Sequence, residues 1–187
     1  MKRVTRKMLN KMYRECEFPV YEMSPREWMK LVLKSGTKNR RDVNYELKMG
    51  FDDFDSSTYG VYYFTIKHKK LPRKVIYINS KTSIACRTYT LLHEIGHSKC
   101  HSKKCRCFNG DILSEVHAES YAIRQCIDNN YDSALLRGVT EIMHSAVEDE
   151  RYDRIFNNLR NKKVWKDAIK KLNTIYPKWY DNNLCIS

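Results

Sequence analysis

The chain has 187 residues, of which 42% are hydrophobic, and 35 Lys and Arg against 22 Asp and Glu give it a formal charge of +13. That length suits one domain with a sizeable core, and the apolar share excludes wholesale disorder. No apolar run approaches the roughly 20 residues a membrane span needs, and no apolar stretch follows the basic amino terminus, so a soluble, cytoplasmic protein is expected.

The charge asks for a partner. Arg160 to Lys171 alone holds six basic residues and one acid. Such an excess favours nucleic acid or an acidic protein through long-range attraction, although a solvated basic surface accounts for it equally well. The seven cysteines suggest free thiols in a reducing compartment. Cys100, Cys105 and Cys107, with His101 beside them, have the ligand types of a small structural zinc site but not a standard spacing. A cysteine-bearing basic loop is the plainer reading.

In chain order, residues 1–14 form a short basic helix carrying Val4, Met8, Leu9 and Met12. Ser24-Pro25-Arg26-Glu27 is a helix start: Ser24 caps, Pro25 fits the first helical position and Glu27 completes a capping box. This helix buries Trp28, Leu31 and Val32 and stops at Gly36. Residues 37–58 are polar, and their acids Asp52, Asp53 and Asp55 lack the spacing of a calcium loop. Residues 61–66 and 74–79 are rich in aromatic and β-branched types and read as two antiparallel strands joined by a basic turn with Pro72.

A helix follows from about Ser83. Ile84, Thr88, Leu91, Leu92 and Ile95 make its apolar stripe. Beside that stripe stands His93-Glu94-Ile95-Gly96-His97. Residues four apart share a helical face, so His93 and His97 can reach one zinc ion, and Glu94 lies where it can act as general base on water. His101 fails as third ligand, since eight residues of helix rise about 12 Å. Lys103 occupies the position a three-histidine pattern would need.

Asp111 is placed to cap the next helix, whose buried stripe is Val116, Ile123 and Ile127. Glu115 near its start supplies the missing ligand type, and Glu119 one turn on would orient a ligating histidine. Leu135 to Ala146 and Val164 to Leu172 repeat at helical spacing and complete the core. His144, Tyr121 and Tyr152 are candidate hydrogen-bond donors to an oxyanion, none of them assigned a catalytic role.

The stretch Val75-Ile76-Tyr77-Ile78-Asn79, followed by Arg87-Thr88-Tyr89-Thr90-Leu91-Leu92-His93-Glu94-Ile95-Gly96-His97, resembles the ImmA/IrrE metallopeptidase family. That family shows a short apolar strand ending in Asn, an Arg-x-Phe-Thr-Leu-x-His-Glu-x-Gly-His helix and a later Glu-x-x-Ala-x-x-Phe-Ala helix. Glu115, Ala118, Tyr121 and Ala122 match the last of these. The resemblance covers about residues 74–127. It implies zinc held by His93, His97 and Glu115, with Glu94 activating water. It also implies a compact α+β, gluzincin-like fold, mostly helical, with a small antiparallel sheet packed on the active-site helix. Characterised members cut DNA-binding repressors.

The combined expectation is one structural domain in three parts. These are a basic helical segment (1–58), a metallopeptidase core (59–130) and C-terminal helices (131–187). The expected function is hydrolysis of a peptide bond in a specific protein, a DNA-associated regulator being one candidate, with one catalytic Zn2+. The alternative is a nucleic-acid-binding or partner-sequestering regulator whose zinc site is structural. No membrane partner is expected.

Overall fold

A computed structural model describes residues 2–35, 60–64, 74–100 and 111–177. The helix stop at Gly36, the acids at 52–55, the turn with Pro72 and the loop with His101, Cys105 and Cys107 lie outside the described residues.

The first helix, α1 (Arg6–Glu15), starts where Thr5 accepts the backbone N–H of Met8 at 3.3 Å. A short strand, β1 (Val20–Met23), leads to α2 (Pro25–Ser35). The capping box forms as its sequence dictates: Ser24 Oγ accepts the Glu27 N–H at 3.3 Å, and Glu27 Oε2 accepts the Ser24 N–H at 2.8 Å. Strands β2 (Gly60–Phe64) and β3 (Lys74–Asn79) follow.

The sheet has the order β1-β3-β2. β2 runs antiparallel to β3, with Val61 opposite Tyr77. The wholly antiparallel sheet expected from the sequence is corrected by β1, which runs parallel to β3 with Tyr21 opposite Tyr77. Four residues with a glutamate among them, directly after Pro19, carry too little strand pattern to announce β1. A central strand is covered on both faces, which explains the unbroken apolar run of β3. Alternation sends Ile76 and Ile78 towards Leu9 and Leu91, and Val75 and Tyr77 towards Trp28 of α2. The Trp28 and Tyr77 rings stack with centroids 5.0 Å apart.

Glu22 of β1 joins the sheet edge to two helices. It accepts Arg6 Nη1 of α1 at 2.6 and 2.8 Å and also takes Arg87 Nη1 from the next helix. That helix, α3 (Ile84–Cys100), begins where Ser83 Oγ accepts the Cys86 N–H at 3.2 Å. It packs on β2 and β3 and on two later helices, α4 (Asp111–Asp128) and α5 (Asp132–Glu148). Asn130, at φ 56°, turns the chain between α4 and α5, a backbone state Asn tolerates better than most.

Between α5 and the last helix stands α6 (Glu150–Leu159), which the sequence reading passes over. Asp149 Oδ1 caps it through the Arg151 N–H at 2.7 Å, and Ile155 and Leu159 fasten it to the core. The final helix, α7 (Lys163–Ile175), buries Val164, Trp165, Ala168 and Leu172, as its spacing predicts. Side chains from Val4 through α3–α7 meet in one apolar cluster. No helix among the described residues is long and apolar enough to cross a membrane.

Candidate metal centre

The centre lies beside a close approach of α3 to α4. At Gly96 a Cβ would stand 2.7 Å from the Ala118 Cα, so only glycine lets the helices come this near. That approach brings Glu115 of α4 against the histidine face of α3.

Three donor atoms converge there. His93 Nε2 and His97 Nε2 are 2.9 Å apart, and each is 3.3 Å from Glu115 Oε2. Two donors about 2 Å from one tetrahedral ion stand about 3.3 Å apart, so the triangle has the size of a zinc site. Among the described residues, His93, His97 and Glu115 are the set of side chains grouped closely enough to hold a metal ion.

The electrostatics point the same way. Burial opposes a charge on His93, yet Glu119, Glu115 and Glu94 around it prevail and raise its pKa well above the ordinary histidine value. Burial likewise opposes ionisation of Glu115, and His93 and His97 overcome it, holding this carboxyl well below the usual range. Several carboxylates therefore surround a spot that favours positive charge. A proton on His93 satisfies it, and so would a divalent cation.

The supporting contacts fix both imidazoles. His93 Nδ1 lies 3.1 Å from Glu119 Oε1. His97 Nδ1 lies 3.2 Å from Ser114 Oγ. Glu119 Oε2 accepts the hydroxyl of Tyr89 at 2.5 Å. On the outer side, Arg151 Nη2 of α6 sits 3.3 Å from Glu115 Oε1.

A cleft of about 730 Å³ opens beside His93, Glu94 and Glu119. Gly60 of β2 lies on its wall, α5 contributes His144 and Glu148, and α6 contributes Tyr152. Glu94 is 6% exposed. Of the three candidate oxyanion donors, Tyr152 and His144 face the cleft, the latter exposed and 3.5 Å from Glu148. Tyr121 does not line the cleft and stands within electrostatic reach of Cys16 instead. Cys100 ends α3, and the rest of the candidate cysteine site lies outside the described residues.

The sequence reading leaves Ser114, Arg151 and the Tyr89 hydroxyl without roles. Ser114 sits beside a ligand candidate, which is no pattern in itself. Arg151 and Tyr152 had a usable signal: Tyr152, Ile155, Phe156 and Leu159 repeat at i, i+3, i+4 and i+7 behind a capping Asp149.

Two imidazoles four residues apart and one carboxylate from the following helix define a class, the helix-borne metal centre of hydrolytic enzymes. Residues 47–129 match the peptidase M78 family, described as the IrrE N-terminal-like domain. This supports the ImmA/IrrE-type metallopeptidase family for the segment that carries the centre. The match ends just past α4, so Arg151 and Tyr152 fall beyond it. No curated protein and no solved structure matches the chain.

Proposed function

We propose that this chain is a zinc-dependent endopeptidase acting on a specific protein. His93, His97 and Glu115 hold the ion, Glu94 is the general base and Glu119 orients His93. The observation that carries the reading is the donor triangle at 2.9–3.3 Å with Glu94 on the wall of the adjoining cleft. When bound, the ion would polarise the scissile carbonyl and render water more acidic.

The chain's own groups do the rest. Glu94, largely shielded from solvent, accepts a proton from the attacking water and passes it to the leaving amine. Burial, with Glu115 and Glu119 nearby, pushes the Tyr152 hydroxyl up to about 12, so it stays a donor at neutral pH. From the cleft wall it hydrogen-bonds the carbonyl oxygen as charge develops there. The shared apolar cluster supports treating residues 1–58, 59–130 and 131–187 as parts of one structural domain. The +13 charge favours an acidic or DNA-associated target.

Metal content by mass spectrometry tests the proposal on wild type and Glu115→Ala. About one zinc per chain is expected in wild type and a clear loss in the variant. Glu94→Gln should keep the ion, lose activity by about 100-fold or more, and trap the substrate. Wild type that takes up no zinc even when supplied with it overturns the reading. Full biological activity in Glu94→Gln, lost on removing the basic segments, would establish the nucleic-acid-binding or partner-sequestering alternative instead.

A further inference from the structure

We propose that Tyr89 is a positioning residue for the metal centre, acting through Glu119 on His93, an inference that rests on the metal-centre reading above. The two oxygens of Glu119 have separate partners. Oε1 faces His93 Nδ1 at 3.1 Å, and Oε2 accepts the Tyr89 hydroxyl at 2.5 Å. Glu119 is 6% exposed and Tyr89 8%, so although both line the cleft they present little surface to water.

A carboxylate held at one oxygen can still swing about its terminal bond. The phenol pins the second oxygen, and Oε1 is thereby kept on the imidazole. With a metal ion bound, His93 would carry its proton on Nδ1, facing Glu119, and offer the Nε2 lone pair to the ion between His97 Nε2 and Glu115 Oε2. Without the phenol, Glu119 Oε2 would lose its protein partner.

The ring is itself fixed from a third helix. At Gly138 of α5 a Cβ would stand 2.1 Å from the Tyr89 ring, so α5 leaves room for that ring and for nothing larger at its own position. Burial and Glu119 hold the phenol pKa well above its ordinary value, which keeps the group a donor. A chain of contacts therefore runs from α5 through Tyr89 and Glu119 to the ligand His93.

Tyr89→Phe removes the donor and keeps the ring on Gly138. Zinc affinity would be measured by competition with a chromophoric chelator for wild type, Tyr89→Phe, Glu119→Gln and the double variant. Loss of a direct partner of a ligating histidine weakens metal binding about 10- to 100-fold, so Glu119→Gln should fall in that range. Tyr89→Phe, one contact further out, should weaken zinc by about 3- to 10-fold. The double variant should be no weaker than Glu119→Gln, because the hydroxyl acts only through that carboxylate.

Thermal unfolding of the metal-free proteins separates this role from a structural one. Zinc affinity within about twofold of wild type, whatever the unfolding temperature, overturns the inference, as do additive losses in the double variant. Wild type that binds no zinc fails the metal-centre reading itself and takes this inference with it.

Discussion

Two carboxylate clusters are strung along α3, and they differ in what balances their charge. At the first, Glu22 of β1 meets the guanidinium groups of Arg6 and Arg87. At the second, Glu115 and Glu119 of α4 meet the imidazoles of His93 and His97. Guanidinium keeps its charge at every accessible pH, so the first cluster is closed: nothing can be exchanged. Imidazole can shed its proton and offer a lone pair. The second cluster surrounds His93 with carboxylates that raise its pKa, and a proton on imidazole is positive charge in a form that a metal ion could replace. The same helix thus carries a permanent clamp and an exchangeable site, and the choice of basic residue separates them.

The clamp should show the largest effect on stability. In Glu22→Gln the Arg87 guanidinium, with 10% side-chain exposure, loses its ionic partner. Breaking a buried pair costs about 3–5 kcal/mol, and the 19% exposure of Glu22 places this case near the lower bound, about 3 kcal/mol by denaturant unfolding. The pH dependence has a definite sign. Burial works against the charge on Glu22, but Arg6, the Tyr13 hydroxyl and Arg87 outweigh it, so the folded-state pKa is lowered. Its contribution is therefore complete above the unfolded value of about 4.3 and is lost as pH falls through the folded pKa. The gap between wild type and Glu22→Gln should be constant near neutrality and close under acid.

The exchangeable site should respond to metal where the clamp does not. A ligand that binds only the folded state stabilises by about 2.7 kcal/mol at 100 times its dissociation constant. Zinc at that excess should raise the unfolding free energy of wild type and of Glu22→Gln by this amount. Glu115→Ala should show little or no rise. An equal rise in all three would mean that zinc binds somewhere other than the triangle.

How far the sequence foretold this contrast depends on the spacing of the residues concerned. His93, Glu94 and His97 lie within one helical turn, so the repeat of the α-helix alone places them together. Glu115 and Glu119 needed a second helix against the first; the resemblance pointed to Glu115, and the helical repeat placed Glu119 one turn on. The small Gly96 against Ala118 gives the physical means. The clamp was hidden because Glu22 sits on a strand too short to have a pattern and its partners lie 16 and 65 residues away. Tyr89–Glu119 and Tyr89–Gly138 were hidden for the same reason. The pairs become neighbours only after α3, α4 and α5 have packed.

Tyr152 tests how much of the chemistry belongs to the cleft wall rather than to the ion. Removing one donor to a developing oxyanion costs up to about 100- to 1,000-fold in rate when the donor is rigid and fully shielded. Tyr152 is only partly buried at the mouth of α6, so Tyr152→Phe should lower kcat about 10- to 50-fold and leave KM and zinc content near wild type. A rise in KM with kcat unchanged would make it a binding contact.

The smallest expected effect is at Arg151, where the two kinds of cluster meet. Its guanidinium lies 3.3 Å from the outer oxygen of Glu115 and is 48% exposed, so it is a permanent charge placed on the exchangeable site. Exposed pairs of this kind contribute about 0.2–1 kcal/mol. If Arg151 merely shares the charge of Glu115, it also repels a divalent ion, and Arg151→Ala should bind zinc up to about fivefold more tightly at low salt. The difference should shrink as salt rises past about 0.15 M, because such exposed charges are screened over about 8 Å. Weaker binding in Arg151→Ala, insensitive to salt, would instead mean that the guanidinium holds Glu115 in its ligating position.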